Sequence, residues 1–291
     1  MKFALIGGGM VGQCYAQALT AGGLELCGIW DAKPSETLME FGRAHRAQVH
    51  TGPGPWLADA DMALSAVFGS VALEGAGAAL ERLRPGALYV DMTTADPEDM
   101  LRAERLATAA GQHFVDVAIT GAVNVHGPKT PLLCAGTKAE DAAELFRAVG
   151  APVQVVGAVP GDAASLKLLR SIFTKGLEAL AIECLTTAEK RGLRAKLHEI
   201  LSDLDAKPLK DMMESMVGTH IEHSARRRKE VEEAQRQMHA AGIDPVVLPA
   251  VEQLFRRTAD RQAAIPYRGR SLDEALRWLI EAATRPVGVH A

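Results

Sequence analysis

Several features that mark particular classes of protein are missing from this sequence. Its four cysteines (Cys14, Cys27, Cys134 and Cys184) are scattered and form no C-x-x-C pair. That usage suits a reducing compartment in which the thiols stay free. The formal net charge is −4, which offers no basic surface for nucleic acid. We therefore expect neither a disulfide scaffold nor a nucleic-acid-binding protein.

Long apolar segments are also missing. No stretch reaches the roughly 20 residues that span a bilayer without charged residues interrupting it. The apolar start, Met1 to Ile6, runs into glycine too soon to resemble a signal peptide. Neither an internal repeat nor a low-complexity tract is evident. These absences predict a cytoplasmic protein with no membrane partner.

The composition is that of a globular protein, with 48% hydrophobic and 23% charged residues. A chain of 291 residues fits two moderate domains. Up to Pro160, short apolar runs alternate with alanine-rich helical segments, which predicts a doubly wound parallel sheet of the Rossmann type. The rest contains helical patterns only. We predict a dinucleotide-binding domain over residues 1–160 and an all-α domain over residues 161–291.

The alternation also places the individual elements. A long helix is predicted from an N-cap at Asp162 to about Arg191, and its apolar residues cover most of its sides, so it should be buried within its domain or between subunits. Later helices should break at Pro208, Gly218, Gly242–Pro249 and Pro266. The predicted strands are Phe3–Ile6, Leu24–Trp30, Met62–Phe68, Leu88–Asp91, His113–Val117, Leu132–Ala135 and Val153–Val156.

The first strand leads directly into the pattern G-x-G-x-x-G, formed by Gly7, Gly9 and Gly12. The first glycine permits a tight turn, the second lets backbone approach a pyrophosphate, and the third lets the helix pack closely on the strand. The phosphates would rest on free N–H groups at the helix start. The turn, including Met10 and Val11, is therefore a predicted cofactor-binding site.

Asp31 ends the second strand, about 20 residues beyond the glycines, as this motif requires. Its carboxylate would accept hydrogen bonds from the adenosine ribose and repel a 2′-phosphate, which favours NAD. Lys33 could instead pair with the phosphate of NADP, or it could be a solvated loop lysine. NAD is the expected cofactor, and NADP stays open.

Four segments of the chain follow one another in an informative order: the glycine turn, Asp91–Pro97, Asp116–Ala122 and Gly161–Ser171. Together they resemble the β-hydroxyacid dehydrogenase family, which includes 3-hydroxyisobutyrate and 6-phosphogluconate dehydrogenases. The resemblance covers roughly the first 190 residues, and the chain beyond them looks like a less characterised helical C-terminal domain of that family. The resemblance implies an NAD(P)-dependent oxidoreductase for a small hydroxy acid or its oxo partner.

Lys167 matches the lysine that serves as general acid and base in that family. Oxidation of an alcohol needs a group that takes the hydroxyl proton, and a lysine can do so if burial or a neighbouring cation lowers its pKa. Arg170, one helical turn on, is a candidate for that cation. The competing interpretation is a helix lysine that extends to solvent.

Other matches imply contacts to substrate and cofactor. Thr120 and Gly121 match the turn that holds the substrate carboxylate, although an ordinary loop turn is the alternative. Arg170 and Ser171 are further substrate-binding candidates. Ser171 departs from the family, which has asparagine there, and offers one donor instead of two. Near the cofactor the resemblance places Thr94, Phe68, Gly69 and Ser70, although Ser70 could simply cap the next helix.

The remaining expectations concern the helical half. His220, His223 and Arg227 share one helix face and suit a carboxylate or phosphate, unless Arg226–Arg228 only pair with nearby glutamates. No metal site is expected.

The long apolar helix and the resemblance predict a homodimer. Two alternative functions stay open: an imine reductase, and a non-catalytic protein that senses dinucleotides.

Overall fold

The computed structural model describes residues 1–284, and the rest of the predicted domain 161–291 lies outside the described residues. The chain forms two compact units, one from Met1 to Ile172 and the other from Phe173 onward. No helix within residues 1–284 is long and apolar enough to cross a membrane.

The first unit is built on an eight-stranded sheet in the order β3-β2-β1-β4-β5-β6-β7-β8. The predicted Rossmann-type fold class, an α/β sheet followed by a helical region, is confirmed. The strands are β1 (Lys2–Ile6), β2 (Glu25–Trp30), β3 (Gln48–His50), β4 (Met62–Ser65), β5 (Leu88–Asp91), β6 (His113–Ile119), β7 (Leu132–Ala135) and β8 (Val153–Gly157).

Three details of the sheet differ from the prediction. Strand β7 pairs antiparallel to β6, because the connection between them contains only a four-residue helix, Val123–His126, and a 3₁₀ turn, and it lacks the longer crossover helix typical of a parallel pair. Strand β3 was not predicted, since three residues at a sheet edge carry too little periodicity to detect. Strand β4 ends at Ser65, before the predicted Phe68.

Eleven helices accompany the strands within residues 1–284. They are α1 (Met10–Ala21), α2 (Glu36–Ala44), α3 (Ala72–Leu80), α4 (Pro97–Ala109), α5 (Val123–His126), α6 (Ala139–Ala148), α7 (Asp162–Lys190), α8 (Arg194–Leu201), α9 (Leu209–Ala240), α10 (Leu248–Ala264) and α11 (Leu272–Thr284). The expected break at Gly218 is wrong, since Gly218 lies inside α9: a glycine weakens a helix by about 1 kcal/mol but keeps its backbone hydrogen bond.

The sheet is buried on both faces. In β1, Phe3 and Leu5 belong to one hydrophobic cluster, whereas Ala4 and Ile6 belong to another on the opposite face. This alternation follows from the two-residue period of a strand. Helices cover both faces, as parallel sheets require. The sheet can therefore serve as a rigid support for the loops at its carboxyl edge.

Three central strands carry buried polar residues in neighbouring register positions. Ser65 and Asp91 end β4 and β5, and Asp116 lies within β6 opposite Asp91. Each of the three is at most 1% exposed. Burial raises the pKa of Asp91 to about 6, and the nearby Asp116 adds to the rise, while hydrogen bonds from Thr93 oppose it. The folded protein thus carries a carboxyl group that resists ionisation.

This raised pKa predicts how stability depends on pH. An acid whose pKa rises on folding contributes its stabilisation below its unfolded pKa, near 4, and loses it as the pH passes about 6. Relative to wild type, the free energy of unfolding of Asp91→Asn should therefore increase between pH 4 and pH 8, by about 3 kcal/mol at about 1.4 kcal/mol per pKa unit.

Chemical denaturation at several pH values measures this difference, and it is insensitive to any constant packing cost of the amide. Asp59→Asn is the control, because Asp59 is exposed and its replacement should produce no comparable trend. A difference between Asp91→Asn and wild type that stays constant across this range would contradict the buried, raised-pKa carboxyl.

Candidate functional site

The glycine turn between β1 and α1 has the geometry of a phosphate-binding loop. Gly7 adopts a φ of +87°, and a side chain there would place its Cβ 2.6 Å from the carbonyl oxygen of Ala66. A Cβ on Gly12 would collide with the Gly7 carbonyl, which shows why the helix start needs glycine. A Cβ on Gly9 would meet nothing within 4 Å. The turn is therefore closely packed at Gly7 and Gly12 and open at Gly9.

The open side of the turn coincides with the start of α1. Gly9 occupies the N-cap position and supplies no side-chain acceptor, and no acidic residue lies in the first turn. Met10 and Val11 are the first two helical residues, and the N–H groups of a first turn have no partner within the helix. These features fit an anionic pyrophosphate, which backbone N–H groups can bind without a basic side chain.

Asp31 lies beside this turn, at the end of β2. Its Oδ2 accepts a hydrogen bond from the Gly8 N–H (2.8 Å), and its Oδ1 accepts one from the Lys33 N–H (2.8 Å). Asp31 therefore also stabilises the glycine turn. Gly8 was not predicted as a site residue, because its requirement is tertiary: a Cβ there would collide with Leu38 of α2.

The loop after β4 contains the predicted cofactor contacts Phe68, Gly69 and Ser70. Phe68 is 84% exposed, and Gly69 to Val71 form a single 3₁₀ turn. Ser70 does not cap α3, since Val71 occupies that position without a side-chain hydrogen bond. A Cβ on Gly69 would lie 3.4 Å from the Cα of Ala95. This loop thus packs against the loop that follows β5.

The loop after β5 contains a strained residue. Thr94 adopts a φ of +54°, which is rare for a β-branched residue. The preceding turn is fixed by Asp91, whose Oδ1 accepts hydrogen bonds from the Thr93 N–H (2.8 Å) and the Thr93 hydroxyl (2.6 Å). Strain of this kind persists where surrounding contacts impose it and is concentrated at functional sites.

The start of α7 is attached to the sheet through Asp116. Its Oδ2 accepts hydrogen bonds from the N–H groups of Gly161 and Ala164, both at 2.9 Å. Gly161 has a φ of +101° and lies so close to Pro97 that a Cβ would come 2.8 Å from the Pro97 carbonyl oxygen. The helix is therefore capped by an aspartate from β6, where the sequence suggested Asp162.

This attachment brings Lys167 to Thr94. The Lys167 Nζ donates a hydrogen bond to the Thr94 Oγ1 at 2.8 Å. Burial lowers the pKa of Lys167, and the negative charge of Asp116 opposes that change. The expectation that Arg170 causes the shift is not supported, because Arg170 is exposed and burial is the main cause. Lys167 combines partial burial with a neutral hydrogen-bond partner.

The other substrate-binding candidates lie in the same unit but make local contacts. The Ser171 hydroxyl donates to the carbonyl of Lys167 (3.0 Å). The Thr120 hydroxyl donates to the carbonyl of Pro131 (3.1 Å), and a Cβ on Gly121 would lie 2.9 Å from the Thr130 side chain. The structure therefore joins Lys167 with Thr94 directly, and among the described residues neither side chain forms a hydrogen bond with Thr120 or Gly121.

No three His, Cys, Asp or Glu side chains in the described part of the chain come together as a metal ion would need. His220 and Arg227 line a cavity in the second unit, whereas His223 is not among its lining residues.

Family models match both parts of the chain. Residues 2–157 match the NAD binding domain of 6-phosphogluconate dehydrogenase, and residues 188–258 match a domain of unknown function, DUF1932. The first match covers the glycine turn, Asp31 and Thr94. It confirms the predicted resemblance and the prediction of NAD as cofactor.

Two curated proteins are similar in sequence to part of this chain. An uncharacterised 28.5 kDa protein of Methanothermus fervidus is 30% identical over 169 residues, which cover 58% of this chain and 65% of that protein. Glyoxylate/succinic semialdehyde reductase 1 of Arabidopsis thaliana is 27% identical over 221 residues, 71% of this chain and 72% of the relative. The shared segments thus leave about a third of each relative unmatched.

Solved structures extend the likeness to nearly the whole chain. The conserved protein MTH1747, of unknown function and described as structurally similar to 3-hydroxyacid dehydrogenases, is 30% identical with a TM-score of 0.60, over 90% of this chain and 98% of that one. An imine reductase of Bacillus cereus has a TM-score of 0.76 at 16% identity, over 96% and 99% of the chains, a likeness that shows the fold alone. Residues 2–157 match the family model, and MTH1747 is 30% identical over 90% of the chain. The chain therefore belongs to the family that carries the NAD-binding domain of 6-phosphogluconate dehydrogenase.

Proposed function

We propose that the protein transfers a hydride between a nicotinamide cofactor and a small hydroxy acid or its oxo partner, with Lys167 as general acid and base. The observation that carries this proposal is the 2.8 Å hydrogen bond between the Lys167 Nζ and the Thr94 Oγ1. It lies at the carboxyl edge of the sheet, where ligands bind in open α/β folds. We further propose that residues 1–160 bind the cofactor and that residues 161–291 complete the substrate pocket.

Lys167 has the properties that proton transfer requires. In the oxidation, the substrate loses two electrons and two hydrogens, one as hydride and one as the hydroxyl proton. Bound NAD supplies the hydride acceptor. The neutral Lys167 amine takes the proton, and in the reverse direction the ammonium returns it to the oxygen. Burial favours the neutral amine by lowering its pKa, while Thr94 orients the nitrogen.

A carboxylate on the substrate fits the groups around this lysine. Arg170 follows one turn later on α7, is exposed and makes no ion pair with any described residue. The Ser171 hydroxyl donates its hydrogen bond to the carbonyl of Lys167, so its oxygen can act only as an acceptor toward a substrate. The Thr120 N–H and hydroxyl already donate to the Pro131 carbonyl. In this turn the Gly121 N–H would therefore hold the carboxylate, and Thr120 would fix the turn. A relative named for glyoxylate and succinic semialdehyde reduction supports a small oxo acid.

Two alternative functions, an imine reductase and a dinucleotide sensor, can be distinguished from this one by the substrates that each would turn over. An imine reductase would oxidise reduced cofactor only with a cyclic imine or an amine and carbonyl, and a dinucleotide sensor would bind cofactor without turnover. The imine reductase likeness is at 16% identity and carries no argument about activity. A panel of hydroxy acids, oxo acids and cyclic imines, followed by cofactor absorbance, distinguishes the three.

Replacement of Lys167 tests the mechanism. Lys167→Met keeps a long stem but removes the amine, so kcat and kcat/KM should fall together by about 10²- to 10⁴-fold. Cofactor affinity should change little, because the phosphates bind at the glycine turn. Lys175→Met is the matched control on the same helix, since Lys175 is exposed and pairs with Glu178.

The pH profile supplies a second readout for Lys167. In the oxidation direction the wild-type rate should rise with pH as Lys167 loses its proton, with the rise below the ordinary lysine pKa because burial lowers it. Lys167→Met should lack this rise. Turnover of Lys167→Met close to that of wild type would eliminate Lys167 as the acid and base.

Asp31 should determine the choice of dinucleotide. Its carboxylate repels a 2′-phosphate, so wild type should prefer NAD(H), and Asp31→Asn should narrow the preference by removing charge while keeping one acceptor for the turn. Dissociation constants for NADH and NADPH measure the change, with exposed Asp59→Asn as the control. A wild-type preference for NADPH would show that a cation such as Lys33 governs the site.

We also propose that the protein is a homodimer that covers the apolar side chains of α7. The sequence predicted that this helix is buried within its domain or between subunits, and large apolar residues remain exposed on the single chain, including Leu169 (60%), Ile172 (72%), Leu177 (53%) and Ile182 (59%). Exposed apolar surfaces of this extent mark interfaces. Homo-oligomers commonly use a two-fold axis, on which one helix packs against its own copy.

Light scattering at micromolar concentration should therefore give the mass of a dimer. Ile182→Glu places a charge on this surface and should shift the protein toward monomer, because an unpaired charge is costly to bury. Val125→Glu changes an equally exposed side chain outside α7 and should leave the mass unchanged. A wild-type monomer would remove the dimer proposal without affecting Lys167.

A further inference from the structure

Helices α9, α10 and α11 of the second unit surround a cavity of about 620 Å³. This volume lies in the range of small-molecule sites, about 300–1,000 Å³. Its walls are largely apolar, with Met216 from α9 and Leu254 and Phe255 from α10 among the lining residues. The cavity also contains polar groups whose positions require an explanation.

Arg227 is the first of these groups. Its Nη2 reaches back two turns along α9 and donates to the Thr219 hydroxyl at 2.9 Å. Its neighbours differ, because Arg226 pairs with Glu230 and Arg228 pairs with Glu232 and Glu252. Arg227 forms no ion pair with any residue that the structure describes, although it is only partly exposed. A guanidinium held in this way retains donors for a second partner.

His220 is the second group. Its Nε2 lies 2.9 Å from the Thr258 Oγ1, and the Thr258 hydroxyl donates to the carbonyl of Leu254 (3.1 Å). The Nε2 therefore carries the donated hydrogen. Burial and the positive charge of Arg227 both lower the pKa of His220, which favours the neutral ring. Among the described residues of α9 that line the cavity, Arg227 alone carries a permanent positive charge.

Arg257 is the third group. It lines the same cavity from α10 and also lacks an ion-pair partner within residues 1–284. Two unpaired guanidinium groups beside apolar walls form a surface that an anion can neutralise. Arginine's planar fork matches the two oxygens of a carboxylate or phosphate, and the apolar walls match a hydrocarbon body.

We propose that this cavity binds a small organic anion, with its acidic group on Arg227 and its apolar body against Met216, Leu254 and Phe255. The proposal does not depend on Lys167 or on the reaction proposed above. A carboxylate and a phosphate monoester share the required chemistry. Nothing in the comparisons assigns a ligand to this region.

Calorimetric titration with three matched probes tests the proposal: hexanoate, hexyl phosphate and the neutral 1-hexanol. Both anions should bind wild-type protein with saturation, and 1-hexanol should bind at least about tenfold more weakly. Arg227→Met should weaken anion binding by about 10- to 100-fold, the usual effect of one charged hydrogen-bond partner. Tighter binding of hexyl phosphate identifies a phosphate site and tighter binding of hexanoate a carboxylate site.

Three controls make the result specific. Arg226→Met removes a neighbouring arginine that pairs with Glu230 and should leave anion binding unchanged. Arg227→Lys keeps the charge without the planar fork, and its affinity should fall between those of wild type and Arg227→Met. Lys167→Met should bind hexanoate as wild type does, because Lys167 does not line this cavity. Melting temperatures confirm that each variant is folded.

Several outcomes would overturn the proposal. These are equal affinity for hexanoate and 1-hexanol, unchanged binding by folded Arg227→Met, or an equal loss in Arg226→Met. Loss of hexanoate binding in Lys167→Met would place the anion at the proposed substrate site instead. Hexanoate affinity that decreases as protein concentration rises would show that a second copy of the chain covers the cavity.

Discussion

The position of Lys167 depends on one buried carboxylate. Asp116 is fully buried, and its Oδ2 accepts the Gly161 and Ala164 N–H groups at the start of α7. These N–H groups have no partner within a helix, and their positive dipole end favours an anion. Because a helix is rigid, fixing its first turn to β6 also fixes the direction of Lys167 less than two turns later. The Thr94 contact follows from this attachment.

The same carboxylate carries an energetic cost. Burial raises the pKa of Asp116, and hydrogen bonds from the start of α7 oppose the rise. Its second oxygen, Oδ1, is buried and has no hydrogen-bond partner among the described residues. Asp91 lies beside it in register, with its own pKa raised to about 6. Two neighbouring buried acids lower stability, and such residues persist where a site requires them.

The sequence predicted the local features and missed those that depend on distant residues. The glycine turn, Asp31 and the extent of α7 were predictable, because each is written in neighbouring residues. Asp162 was the expected cap because it lies at the helix start, whereas Asp116 is 45 residues away from Gly161. The antiparallel direction of β7 and the need for glycine at position 8 likewise arise from tertiary contacts. The sequence placed Thr94 near the nicotinamide, but it did not predict the direct hydrogen bond between Thr94 and Lys167.

The partner that Lys167 has is consistent with proton transfer. A carboxylate in direct contact would stabilise the ammonium and hold the pKa of the lysine high. Here the direct partner is the neutral hydroxyl of Thr94, and Asp116 acts on Lys167 only through space, without an ion pair. The lowered pKa of Lys167 therefore reflects burial, partly opposed by Asp116. Asp116 can hold the helix through backbone N–H groups without forming an ion pair with the Lys167 ammonium, so the carboxylate that positions the lysine is not its direct partner.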